Sequence, residues 1–241
     1  NDEGFRIFCL AVSPNGKQVI AGTHSRALLV FDTATGKLSK TLFGHSHSVT
    51  QVAFLPDGKH FISGSDDNSL KLWSLEKESP VLTPQAHSRE VNRVVISSDG
   101  KQAVSAAQGE LKVWDLQKGK LQNNIKAPLH SNNWISYLPD ERFIITGSSA
   151  SFHGWDVNTG AKIHDFKAKN HMGDVAVSPD GSRGITTSED IRTQSEKLTI
   201  WDLTKRKLLR TMFAHKKSIA SLAISADGKR LFSGSLNEFK V

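Results

Sequence analysis

Short apolar runs separated by polar turns follow one another along the whole chain. At 49–54, Val52 and Phe54 fall on one side, as the two-residue period of a strand requires. Pro56-Asp57-Gly58 ends that run. A second run at 60–65 passes through Asp66, Asp67 and Asn68 into a third at 70–75, and a fourth apolar stretch lies at 81–83. These runs predict four short strands. Helical spacing is absent, and Gly and Pro recur every ~8 to 12 residues, the pattern of an all-β domain built from hairpins.

The unit repeats. Phe31, Trp73, Trp114, Trp155 and Trp201 each follow apolar residues and are separated by 42, 41, 41 and 46 positions. The turn Pro14-Asn15-Gly16 returns as Pro56-Asp57-Gly58, Ser98-Asp99-Gly100, Pro139-Asp140-Glu141, Pro179-Asp180-Gly181 and Ala226-Asp227-Gly228, which makes six repeats. A four-stranded sheet cannot bury both of its apolar faces alone, so neighbouring units are expected to stack, radially about an axis.

On these residues the chain resembles the WD-repeat β-propeller family over essentially its whole length. The family's terminal dipeptide stands as Trp114-Asp115, Trp155-Asp156 and Trp201-Asp202, and in altered form as Phe31-Asp32 and Trp73-Ser74. Its Gly-His landmark stands as Gly44-His45, with Ala86-His87 and Ala214-His215 as variants. The resemblance implies a single all-β propeller domain over 1–241, with blades at approximately 4–43, 44–85, 86–127, 128–168, 169–213 and 214–241. Five of these are complete and the sixth is truncated, within a ring that in this family usually has seven. The segment 233–241 parallels 105–113 and stops one residue before its expected Trp. The chain therefore reads as a fragment of a longer product, with self-association through the incomplete sixth blade as the alternative. The terse repeats also resemble those of bacterial regulatory proteins.

The resemblance further implies a buried tetrad of His, Ser or Thr, Asp and Trp, matched in full by His45, Ser63, Asp67 and Trp73. Its physical purpose is satisfaction of buried polar groups: the carboxylate accepts from imidazole and backbone, and the hydroxyl bridges to the indole N–H. The third repeat keeps His87, Ser105 and Trp114, but its turn Ala107-Gln108-Gly109 is one residue shorter and has no Asp, so its network is expected to be incomplete. The fifth keeps Thr186, Asp190 and Trp201; the first has Ala21, Ser25 and Phe31 and no tetrad; His130 and His171 fall out of register. A His, a Ser and an Asp in one unit also fit a nucleophilic triad. The indole has no role in one, and no catalytic residue is assigned.

Composition mostly excludes. No apolar run nears the ~20 residues of a membrane helix, and the first residues lack the basic and apolar regions of a signal peptide. The single cysteine, Cys9, rules out an internal disulfide or a CxxC metal site and reads as a core thiol, in keeping with the cytoplasm. There is no Gly-rich phosphate loop, HExxH, GxSxG or EF-hand pattern, so no cofactor and no metal are expected. The balance of 31 Lys and Arg over 24 Asp and Glu gives +7, which could attract an anionic partner. Without a phased aromatic set for stacking bases, nucleic acid ranks below protein as the partner.

Recognition resides on loops held by a rigid frame. The loops expected on one face carry His24, Arg26, His47, Asp66, Arg89, Lys216 and Lys217. The fifth repeat adds residues 191–197, which read as a solvated loop bringing Arg192, Gln194 and Glu196 to that face. The favoured function is a non-catalytic scaffold or regulatory module that binds other proteins. A propeller hydrolase with an axial site, and a basic-surface binder of anions or nucleic acid, are the alternatives.

Overall fold

The computed structural model of the protein describes residues 6–82, 84, 86–129, 134–138, 140–148, 151–167, 172–190, 195–205, 207–217, 219–225, 227–235 and 238–241. They fall into two compact units, 1–131 and 132–241. The first unit holds three antiparallel sheets, each with its strands in chain order. The first sheet is β1 (Ile7–Val12), β2 (Gln18–Thr23), β3 (Leu28–Asp32) and β4 (Leu38–Leu42). The second is β5 (Val49–Phe54), β6 (His60–Ser65) and β7 (Leu70–Ser74), and the third is β8 (Arg93–Ile96), β9 (Gln102–Ala107), β10 (Glu110–Asp115) and β11 (Lys120–Lys126).

The second unit repeats the plan. Its sheets are β12 (Trp134–Tyr137), β13 (Phe143–Ser148), β14 (Ser151–Asp156) and β15 (Lys162–Lys167); then β16 (Met172–Val177), β17 (Arg183–Asp190), β18 (Ser195–Asp202) and β19 (Lys207–His215); then β20 (Ile219–Ile224), β21 (Leu231–Ser235) and β22 (Phe239–Lys240). The six recurring turns join the first two strands of each sheet. The amides of Gly16, Gly58, Gly100, Glu141, Gly181 and Gly228 each donate to the carbonyl three residues earlier at 2.8–3.0 Å. All six sit at φ between 53° and 69°. Glycine takes this left-handed conformation without steric cost, and Glu141 is the departure.

The aspartate of the terminal dipeptide also has a local task. Asp32, Asp115, Asp156 and Asp202 each accept the backbone N–H three residues on, at 2.7–3.0 Å, and so fold the turn into the outer strand. In the second sheet Ser74 accepts from the Glu76 amide at 3.2 Å instead.

Stacking follows one rule within each unit. Ile20, Leu28 and Val30 of the first sheet pack on Val49 and Val52 of the second, with Phe61 and Trp73 in the same cluster. Ile62 and Leu70 pack on Val91 and Val94 of the third. In the second unit, Ile185 and Leu198 meet Ile219 and Leu222. Close approach needs a missing side chain at Gly64, where a Cβ would stand 2.7 Å from a Val91 methyl.

Two expectations are corrected. The fourth apolar stretch of the second repeat is not a strand: it makes a single bridge, Leu72 to Leu82. Pro80 and Pro84 flank it; proline lacks the N–H a ladder needs, which confines regular pairing there. The fifth-repeat insertion is not loop throughout, since residues 195–197 are strand. β17 and β18 extend into it, pairing Ser188 with Lys197, Glu189 with Glu196 and Asp190 with Ser195. Residues 195–197 of the insertion thus belong to the β18 ladder, and 191–194 lie outside the described residues.

Candidate functional site

The second sheet brings His45, Ser63, Asp67 and Trp73 into one hydrogen-bonded chain. His45 precedes β5, Ser63 lies on β6, Asp67 is in the β6–β7 turn and Trp73 is on β7. The imidazole Nδ1 is 2.8 Å from Asp67 Oδ2, and Nε2 is 2.6 Å from Ser63 Oγ. Trp73 donates its indole N–H to that oxygen at 2.7 Å. The partners settle the proton: a carboxylate only accepts, so Nδ1 carries the hydrogen, while the Ser63 hydroxyl accepts from the indole and donates to Nε2. Asp67 also accepts from the Ser46 and Ser69 amides, both at 2.9 Å. Burial raises the Asp67 carboxyl's pKa, but hydrogen bonds from His45, Ser69 and Ser46 outweigh it and hold the carboxyl well below its usual range.

The third sheet corrects the expectation of an incomplete network. His87 Nε2 lies 2.7 Å from Ser105 Oγ, and Trp114 donates to Ser105 at 2.8 Å. Glu110, the first residue of β10, takes the carboxylate position, with Oε1 2.9 Å from His87 Nδ1. The turn here is one residue shorter, which moves the nearest carboxylate onto the strand. The extra methylene of Glu covers the gap back to the imidazole. Lys112 reaches over the same site and donates to the Ala86 carbonyl at 2.6 Å, with its ammonium 3.7 Å from Glu110. Burial lowers the His87 pKa, and the Glu110 hydrogen bond only partly opposes it.

The sixth sheet builds the same device, which the sequence reading did not assign. His215 is 3.0 Å from Glu238 and 2.8 Å from Ser233, and Lys240 donates to the Ala214 carbonyl at 2.5 Å. The signal was present. A carboxylate follows the His by 22 positions in the second sheet and by 23 in the third and sixth. The longer spacing comes with Ala before the His and with Lys two places after the Glu.

The remaining sheets hold shorter versions. Trp155 donates to Thr146, and Trp201 to Thr186, each at 2.9 Å. Asp190 pairs by its backbone with Ser195, and its side chain lies outside the described residues, as do His130 and His171. In the first sheet Ala21 and Phe31 replace the hydroxyl and the indole, so no polar hydrogen needs a partner there. Thr23 instead closes the β2–β3 turn, donating to the Ala27 carbonyl at 2.8 Å.

These networks do not resemble working nucleophiles. Ser63 and Ser105 are fully buried, and each oxygen already accepts an indole N–H, which leaves no path for a substrate. Among the described residues, no group of His, Cys, Asp and Glu is arranged to hold a metal ion. Cys9 packs against the core shared by the first two sheets, and burial pushes its thiol up to about 11.

The exposed turns present different chemistry. His24, Arg26, His47 and Arg89 are exposed in the first unit, and Asp66 is half-buried. Several meet where the first two sheets adjoin. His24 Nδ1 is 3.0 Å from Ser48 Oγ, the Phe8 ring stands edge-on to His24 at 5.5 Å, and the Arg6 guanidinium covers Phe8 at 5.3 Å. The Asp66 amide donates to the Ser48 carbonyl at 3.0 Å. Arg26 and Asn68 hold equivalent turn positions at φ 70° and 66°. Lys216 and Lys217 are exposed in the second unit. Glu196, expected on an exposed face, is buried at 5% because it lies in the extended β18 ladder. Arg192 and Gln194 lie outside the described residues.

Comparison with known proteins agrees with this geometry. The family model "WD domain, G-beta repeat" matches residues 36–74, 78–115 and 206–238. The first and third windows take in an outer strand, β4 or β19, and run into the next sheet, and the second runs from the segment of the Leu82 bridge through β8 to β10. The chain is also 29% identical over 142 residues to Protein groucho of Drosophila melanogaster, a match covering 55% of this chain and 19% of that protein's length. The phased turns, the sheets in chain order, the buried His-carboxylate-hydroxyl-indole networks and the three matched windows together support a WD-repeat β-propeller family for this chain.

Proposed function

We propose that the chain is a non-catalytic platform that recognises other proteins through the exposed turns of its sheets. The observation that carries this reading is a division of chemistry. His45, His87, Ser63 and Ser105 are buried in the networks, whereas His24, Arg26, His47 and Arg89 are exposed on turns. A rigid frame that presents exposed polar groups at its loops suits binding rather than turnover. Partners are other proteins, a second copy of this chain included. A reducing compartment such as the cytoplasm suits Cys9, a half-buried thiol held well above its ordinary pKa.

The test is capture. The wild-type chain and a variant carrying His24→Ala, Arg26→Ala, His47→Ala and Arg89→Ala are each crosslinked to extract of the source cells, and the captured proteins are quantified. The reading predicts that specific captures fall for the variant while its unfolding midpoint stays put. Captures that persist unchanged would move recognition to another surface. A fall of capture with salt, equal for any polyanion, would favour the anion-binding reading.

A further inference from the structure

The fifth sheet differs from the others at its outer edge. Its two faces pack within the second unit: Trp201 and Leu203 on Trp134 and Phe152 of the fourth sheet, and Ile185 and Leu198 on Ile219 and Leu222 of the sixth. What stays open is the edge, where β19 is the outermost strand of the sheet. β19 runs for nine residues, against five in β4, seven in β11 and six in β15. The insertion supports this length, since its Lys197 and Glu196 pair with Phe213 and His215. In the first sheet the corresponding Phe43 lies past the end of β4, which stops at Leu42.

This strand has an apolar side and a basic side. Met212 packs toward the sixth sheet, so alternation turns Phe213 the other way, and Leu208 lies opposite Trp201, which packs on the fourth sheet. Leu208 and Phe213 are 51% and 59% exposed on that side, although the fourth sheet has all four of its strands. Arg210 lies opposite Ile200, which packs with the sixth sheet, and Lys207 alternates with Leu208 onto the same side as Arg210. Both cations are exposed and form no ion pair among the described residues, and β19 carries no carboxylate.

We propose that β19 takes an extended segment of a partner protein as a fifth strand of its sheet, a segment acidic along one side and apolar along the other. Backbone pairing along a free edge supplies affinity, and alternate side chains supply choice. On the added strand, carboxylates fall beside Lys207 and Arg210, and apolar groups beside Leu208 and Phe213. The β19 of a second copy fits badly, because it brings the same two cations to the ladder, and like charges across a ladder oppose pairing. The inference rests on the reading that the chain binds other proteins, and it adds a surface in the second unit to the turns that carry His24, Arg26, His47 and Arg89.

Two fluorescein-labelled peptides of the same length as β19 test this on the 241-residue chain by fluorescence anisotropy, one alternating glutamate with valine and the other lysine with valine. Wild type is expected to bind the glutamate peptide and not the lysine peptide. Arg210→Glu is expected to weaken binding of the glutamate peptide by about tenfold or more and to admit the lysine peptide. Phe213→Ser is expected to weaken binding without changing the charge preference. Both positions are exposed, and circular dichroism with unfolding midpoints verifies that each variant is folded. Amide hydrogen exchange over residues 207–213 should slow when the glutamate peptide binds. A glutamate peptide that does not bind wild type, equal binding of the two peptides, or binding indifferent to Arg210→Glu would overturn the proposal. Binding without slowed exchange over 207–213 would also overturn it, leaving charge attraction with no added strand. Capture of outside proteins through His24, Arg26, His47 and Arg89 should survive in both variants, so failure here is separable from failure of the recognition reading.

Discussion

The second and third sheets solve one problem with different residues. Each must satisfy a buried imidazole, a hydroxyl and an indole N–H. The second does so with Asp67 in a turn, the third with Glu110 on a strand, at 2.8 and 2.9 Å from the imidazole. The carboxylate side chains are 8% and 17% exposed, so the glutamate solution is the wetter one. It gains a lysine clamp that the aspartate solution lacks, since Lys112 ties the strand to the Ala86 carbonyl. What the fold requires is an acceptor at the imidazole, and neither the residue type nor its spacing is fixed.

The largest effects should be shared by the two sheets. Trp73→Ala and Trp114→Ala each remove a buried ring and strand a serine, and each is expected to cost about 3–5 kcal/mol in urea unfolding. A Trp114→Ala cost far below that of Trp73→Ala would break the equivalence of the two networks.

Next come the carboxylates. Asp67→Ala and Glu110→Ala each leave a buried imidazole N–H without its acceptor, at about 1–3 kcal/mol. The sharper comparison exchanges lengths. Glu110→Asp keeps the charge but loses the reach and should cost nearly as much as Glu110→Ala. Were Glu110→Asp neutral, the spanning role of the extra methylene would be wrong.

Acid should separate the sheets further. In Asp67 and Glu110 the folded pKa is depressed, so their contribution is present above the unfolded values of about 3.9 and 4.3 and is lost as pH falls through the folded ones. His87 is also depressed, chiefly by burial. The unfolded chain then binds the proton more readily, so stability begins to fall below about pH 6.5, the unfolded value, down to the folded one. Unfolding midpoints measured between pH 7 and 5 should decline in wild type and decline less in His87→Asn. The smallest effect belongs to the exposed Lys207: Lys207→Ala should stay within about 0.5 kcal/mol.

The repeat was legible because its signals are local. Turn chemistry at Pro-Asp-Gly, strand alternation at 49–54 and the aromatic period are each set by a few neighbouring residues. The tetrad at His45, Ser63, Asp67 and Trp73 was legible because that repeat keeps the family's residues at the family's spacing. Glu110 and Glu238 were hidden because a shorter spacing between the second and third strands moves the acceptor out of the turn, to the first residue of β10 or the residue just before β22, where alternation alone marks a charged residue as solvent-facing. Glu196 was misplaced for a related reason: whether added residues loop out or extend a hairpin depends on pairing across the strands, as between Glu189 and Glu196. A fourth strand of the second sheet was overread from 81–83, although the flanking Pro80 and Pro84 already argued against a regular ladder.

The central claim is that Glu110 completes in the third sheet the structural network that Asp67 completes in the second. The most direct test is a two-dimensional proton–nitrogen spectrum of the imidazole rings at pH 7, with His87 assigned by its loss in His87→Asn. The account predicts a neutral His87 ring with its proton on Nδ1, shared with Glu110, and a Nε2 that accepts from Ser105. A His87 ring protonated on Nε2, or on both nitrogens, would contradict it.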